Sequence, residues 1–189
     1  TVNSYKVAII GAGRIGAFFD SPEKDEILTH AHAYLKHPDT ELVGFVDVNE
    51  EAGEKAAKMW GGKYYSDIES LFKDNDGQID ILSVCTPDKF HAEVVKKVLD
   101  SNSGYSVKLI ILEKPVAETS EEAKELAKLS EEKGVPILVN YIRRFDPVMH
   151  HVRENIVKGE YGKVLGGRGL YAKGLRYSGS HLVDLMQFL

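Results

Sequence analysis

The chain has 189 residues, 43% of them hydrophobic and 28% charged, and 24 Lys and Arg against 29 Asp and Glu give a net charge of −5. That composition is ordinary for a globular protein, and a mildly acidic chain without a basic cluster argues against nucleic-acid binding, which depends on neutralising phosphates. Apolar runs such as Val7–Ile10 and Leu109–Leu112 fall far short of a membrane span, the N-terminus shows no secretory pattern, and the lone Cys85 has no internal disulfide partner. The expectation is a cytoplasmic protein that engages neither membrane nor nucleic acid.

In chain order, strands are expected at Lys6–Ile10, Leu42–Val46, Ile79–Cys85, Val107–Leu112 and Ile137–Asn140. Several are apolar on consecutive residues, the mark of parallel strands buried on both faces. Helical stripes lie between them. One covers Ile27–His37, one Glu50–Trp60 through Ala52, Ala56, Met59 and Trp60, and one Lys89–Leu99 through Ala92, Val95, Val98 and Leu99. Another covers Ser120–Lys133, opened by Thr119 and Glu122 at capping-box spacing and closed by Gly134. This alternation predicts a doubly wound parallel α/β domain over residues 1–140. Over residues 141–189 the pattern changes. Asp146-Pro147 starts a helix over Val148–Val157, a Gly-rich stretch carries a strand near Val164–Tyr171, and His181–Leu189 begins another helix. About 50 residues are fewer than usually fold alone, so this part reads as the front of a truncated α/β substrate domain.

Gly11-Ala12-Gly13-Arg14-Ile15-Gly16 directly follows the first strand. Such glycines permit a tight turn and let the backbone approach a pyrophosphate, which points to a dinucleotide. The second strand ends in Asp47, whose carboxylate suits two ribose hydroxyls and would repel a 2′-phosphate. No Arg follows in Val48-Asn49, so NAD is favoured over NADP. Asp47 lies 31 residues after Gly16 rather than about 20, an excess that fits an insertion around Asp20–Glu26. Thr86-Pro87 closes the strand Ile79–Cys85, where a nicotinamide ribose could pack. His91 either faces the cofactor or is a plain helix residue, and Cys85 reads as a small buried hydrophobe. Glu113-Lys114-Pro115 closes the next strand and offers a lysine able to donate to a substrate oxygen; its proline could take a cis peptide. His30 and His32 point to different faces of their helix, the adjacent His150-His151 cannot easily chelate together, and no metal site is expected.

The order Gly11–Gly16, Asp47, Thr86-Pro87, Glu113-Lys114-Pro115, Tyr141–Pro147 and Gly179–Asp184 resembles the Gfo/Idh/MocA family of nicotinamide-dependent sugar and polyol oxidoreductases. The resemblance implies a Rossmann domain joined to a larger α/β domain whose open sheet mediates homo-oligomers. It implies NAD as cofactor, held by Gly11, Gly13, Arg14, Ile15, Gly16, Asp47, Thr86, Pro87, His91, Glu113 and Lys114. It gives Lys114 contact with substrate and nicotinamide, His181 the acid/base role, and Arg144, Lys173 and Tyr177 places near a sugar or sugar-nucleotide substrate. The family's Asp four residues before the histidine is Tyr177 here. That departure leaves a second reading open, a non-catalytic NAD-binding regulator, since the family includes a galactose-pathway corepressor. Asp184 is expected to cap a helix or to lie in solvent.

Overall fold

The computed structural model describes residues 4–100 and 103–189. Two compact units divide the chain, one running up to Val139 and the other comprising Asn140–Leu189. The first is built on six parallel strands, β1 (Tyr5–Ile10), β2 (Thr40–Val46), β3 (Lys63–Tyr65), β4 (Gln78–Val84), β5 (Ser106–Leu112) and β6 (Ile137–Val139), in the order β3-β2-β1-β4-β5-β6. Five helices connect them: α1 (His30–Lys36), α2 (Glu50–Trp60), α3 (Ile68–Asp74), α4 (His91–Leu99) and α5 (Ser120–Lys133). This is the doubly wound α/β architecture that the alternating pattern predicts.

Side-chain alternation along β1 builds two cores, because successive residues of a strand point to opposite faces. Val7 and Ile9 join Ala31, Tyr34, Phe45, Ala56 and Trp60 on the face carrying α1 and α2. Ala8 and Ile10 join Leu71, Phe72, Leu82, Val95, Ile110 and Leu126 on the face carrying α3, α4 and α5. With both faces covered, the strands can be apolar at consecutive positions.

Helix ends follow local chemistry. The Thr119 side chain accepts from Glu122 N while the Glu122 carboxylate accepts from Thr119 N, and α5 stops at Gly134 with φ 64°. α1 starts three residues later than Ile27–His37 suggested, because Thr29 is its cap, accepting from His32 N at 3.1 Å. The sequence pattern does not announce β3 and α3; the strand has only three residues, and Asp67 caps the helix by accepting from Ser70 N at 2.7 Å.

The second unit holds α6 (Pro147–Lys158) and α7 (Ser180–Phe188), with helical turns at Ile142–Phe145 and Leu175–Gly179. Asp146 caps α6 by accepting from Val148 N at 2.8 Å. The strand expected near Val164–Tyr171 does not form. Gly166, Gly167 and Gly169 dilute its β-forming residues, and a strand needs a hydrogen-bonded partner; none is present among the described residues of this unit.

Candidate active site

The strand order reverses between β1 and β4, and in open parallel sheets ligands bind outside the carboxyl ends of the strands at that point. Backbone hydrogen bonds align those ends: Gly11 N donates to Val46 O at 2.8 Å, Cys85 N to Ile10 O at 2.7 Å and Glu113 N to Val84 O at 3.0 Å. Gly11, Asp47, Cys85 and Glu113 therefore share one edge of the sheet.

Gly11 has φ 98°, and a Cβ there would lie 2.7 Å from the Cys85 carbonyl carbon. Only glycine fits where β1 leaves this close to β4. A Cβ on Gly16 would collide with Gly11 O, whereas one on Gly13 would meet nothing within 4 Å. The turn is thus tightly packed beneath and open above Gly13, as a cradle for a pyrophosphate requires. Arg14 and Ile15 begin a five-residue wide helical turn, Arg14–Phe18. The Arg14 guanidinium sits 4.8 Å from the Phe19 ring centroid, and Ile15 packs on the α1/α2 core.

That turn stops because the inserted segment closes on Asp20, whose carboxylate accepts from Leu28 N, Thr29 N, Thr29 Oγ1 and His32 Nδ1 at 2.6 to 3.2 Å. Burial opposes the charge on Asp20, but these donors outweigh it and hold the carboxyl below its ordinary range.

Asp47 Oδ2 accepts from Ala12 N at 2.7 Å and Oδ1 from Asn49 N at 2.8 Å, so the carboxylate is held beside the glycine turn. Each oxygen keeps a second lone-pair site, enough to receive the two hydroxyls of a ribose. Thr86 Oγ1 is buried with no protein partner among the described residues, a polar atom available to a ligand in the crevice. The glycine cradle, Asp47 and Thr86 fit a dinucleotide. Pro87 opens the short turn Asp88–Phe90, and Phe90 N donates to its carbonyl at 2.9 Å.

His91 is only 1% exposed, and its ring nitrogens lie 2.8 Å from Pro115 O and 2.9 Å from Thr86 O. Both are engaged with the chain itself, so His91 joins two loops and directs neither nitrogen outward. Cys85 is buried, and burial, followed by the charge of Glu113, pushes its thiol well above the ordinary range, which makes it a poor nucleophile.

Glu113, Lys114 and Pro115 are all half-buried, and the Lys114–Pro115 peptide is cis. Glu113 Oε1 lies 3.0 Å from His30 Nε2, His30 Nδ1 lies 2.9 Å from Ser83 Oγ, and Ser83 Oγ lies 2.6 Å from Tyr34 OH. Burial pushes the Tyr34 phenol up, against the opposing effect of the Ser83 hydrogen bond, so it keeps its proton. This buried row was not anticipated. His30 and Tyr34 do stand four apart on one helix, a spacing that places them on the same face.

In the second unit, His181 lies near the start of α7 with its ring edge-on to Tyr141, centroids 5.7 Å apart. Arg144 grips Asp184 with Nε 2.8 Å from both carboxylate oxygens and an Nη 2.7 Å from one. Asp184 is 8% exposed and so neither caps a helix nor lies in solvent, because the guanidinium compensates its buried charge. Lys173 is exposed at φ 66°, and Tyr177 is 59% exposed.

Comparison with known proteins finds relatives of this fold. Glucose-6-phosphate 3-dehydrogenase of Bacillus subtilis is 28% identical over 85% of this chain and 40% of its own length. Inositol 2-dehydrogenase of Rhizobium meliloti is 28% identical over 84% of this chain and 42% of its own. This chain therefore spans less than half the length of these curated relatives. Among solved structures, one described as a myo-inositol dehydrogenase of Sinorhizobium meliloti superposes with a TM-score of 0.76 at 26% identity, over 98% of this chain and 55% of its own. The scyllo-inositol dehydrogenase of Lactobacillus casei with bound NAD(H) and scyllo-inositol gives 0.76 at 18% identity, over 98% of this chain and 56% of its own, a likeness of fold. Residues 5–141 match the oxidoreductase family with an NAD-binding Rossmann fold, and the chain belongs to that family, Gfo/Idh/MocA.

Proposed function

We propose that this chain binds NAD and serves hydride transfer between the cofactor and a hydroxyl-bearing carbon of a sugar, polyol or sugar nucleotide. The observation that carries the reading is the cradle at Gly11–Gly16 with Asp47 held beside it. The open side of Gly13 would hold the pyrophosphate, Asp47 would receive the adenosine ribose, and Thr86 and Pro87 would border the nicotinamide ribose. NAD supplies the hydride chemistry when bound. Lys114 donates to the substrate oxygen and stabilises negative charge developing there. His181 accepts the hydroxyl proton, histidine being the side-chain type that titrates near neutrality. Arg144, Lys173 and Tyr177 belong to the substrate's surroundings, with Arg144 oriented by Asp184. The dehydrogenases named above act on inositols and a glucose phosphate, which supports this substrate class. The proposal extends to a homo-oligomer in the cytoplasm.

The test is an NADH fluorescence titration of the chain and of Gly13→Ala, followed by NAD-dependent oxidation of inositols and glucosides by a protein of the relatives' full length, as parent and as Lys114→Met. The expected results are NADH binding that weakens on the order of tenfold or more in Gly13→Ala, and turnover that falls by about 10²-fold or more in Lys114→Met. Unchanged turnover in Lys114→Met would sink its assignment. Cofactor binding without turnover on any substrate would instead favour the regulatory reading.

A further inference from the structure

We propose that His30 and His91 are positioning residues that grip the Glu113-Lys114-Pro115 turn from its two flanks and so set where Lys114 presents its ammonium. The proposal deepens the reading above and rests on its assignment of Lys114.

The two residues flanking Lys114 are each tied to a buried imidazole. Before it, Glu113 Oε1 is 3.0 Å from His30 Nε2; after it, Pro115 O is 2.8 Å from His91 Nδ1. Each ring then uses its second nitrogen on the exit of the adjoining strand β4. His30 Nδ1 is 2.9 Å from Ser83 Oγ, and His91 Nε2 is 2.9 Å from Thr86 O. The rings are 8% and 1% exposed. Two imidazoles thus bridge the ends of β4 and β5, next to the switch point between β1 and β4.

With a neutral His30 ring and an ionised Glu113, the hydrogen bonds of the row run in one order. Tyr34 OH donates to Ser83 Oγ, Ser83 OH donates to His30 Nδ1, and His30 Nε2–H donates to the Glu113 carboxylate. Such a row engages the Glu113 carboxylate from His30, 83 positions earlier in the chain. It also costs burial of polar groups, a cost that apolar side chains would avoid if filling space were the only need. On the other flank, His91 meets backbone rather than side chain: its neutral ring donates to one of the two carbonyls, Pro115 O or Thr86 O, and its protonated ring to both. The anchors on Glu113 and Pro115 limit how far the turn can carry Lys114, and an error of about 1 Å in such a group can cost about 100-fold in rate.

The experiment is 13C reductive methylation of the lysines of the whole chain, with the Lys114 signal assigned by its loss in Lys114→Arg. His30→Leu and His91→Phe fill the space and remove the hydrogen bonds. Gln at position 30 can still accept from Ser83 and donate to Glu113, and Gln at position 91 can still donate to a carbonyl. The expected result is a Lys114 signal displaced by more than its linewidth in both apolar variants and returned toward the parent in His30→Gln and His91→Gln. Leu126→Ala, a core change elsewhere in the sheet domain, is expected to leave the signal in place. Should an apolar variant fail to fold, His30→Asn, too short to reach both partners, takes its place against His30→Gln. A Lys114 signal that coincides with the parent in the folded variants, or that moves equally in Leu126→Ala, overturns the proposal. NADH titration of the parent separates the two claims: absent binding with a displaced Lys114 signal supports the brace and rejects the cofactor reading.

Discussion

The two units of the chain are stabilised by different physics. The sheet unit places Val7, Ile9, Phe45, Leu71, Phe72, Leu82, Ile110 and Leu112 at 1% exposure or less, in two cores that β1 divides. In Asn140–Leu189 the buried residues are Gly179 and Asp184, while Leu165 is 90% and Leu170 83% exposed. One unit is held by apolar area, at about 25 cal/mol per Å² buried. The other is held by helix caps, the Arg144–Asp184 pair and ring contacts such as those of Arg144, Arg153 and His150 with Phe188. A cofactor cradle demands fixed backbone positions, and it is found on the unit whose strands are locked by packing on both faces.

The sharpest way to break this contrast is a matched pair of truncations. Phe45→Ala is expected to cost about 3–5 kcal/mol in denaturant unfolding, from lost transfer energy plus a cavity. Leu165→Ala is expected to change stability by less than about 0.5 kcal/mol. Similar values for the two would erase the distinction.

Next in size is the polar cluster of the insertion. Asp20→Ala strands the donors of Leu28, Thr29 and His32 and is expected to cost about 3 kcal/mol by thermal melting. The sign of the pH dependence follows from the lowered carboxyl. Its contribution is complete above the ordinary aspartate value and disappears as pH falls through the lower folded value. Acid melts of the parent should therefore lose stability below about pH 4 by more than those of Asp20→Asn; parallel curves would reject the assignment.

The smallest effect belongs to the second unit. Asp184→Ala is expected to cost about 1–2 kcal/mol locally, read as faster amide exchange in α7 with exchange in β1 and β4 unchanged. Slowed or unaltered exchange in α7 would mean that the ion pair does not hold that helix.

Legibility in the sequence followed the locality of the interactions. The bounds of α5 could be read because Thr119, Glu122 and Gly134 act within a turn of themselves, and α2 because Ala52, Ala56 and Trp60 repeat at helical spacing. The parallel sheet was visible in consecutive apolar residues, and the glycine turn in its own string. β3 escaped notice because three residues carry too little pattern, and the strand expected at Val164–Tyr171 failed because strand formation depends on a partner that composition does not reveal. The His30 row joins residues 53 and 83 positions apart. The sequence places His30 and His32 on different faces of one helix; only the fold assigns one to Glu113 and the other to Asp20.

The central claim is that the sheet unit forms an NAD site in which Asp47 faces the adenosine ribose. Calorimetric titration of the chain with NADH and with NADPH tests it most directly. The expected result is NADH bound more tightly by about tenfold or more, because a 2′-phosphate would meet the Asp47 carboxylate. Equal or tighter binding of NADPH, or no binding of either, would contradict it.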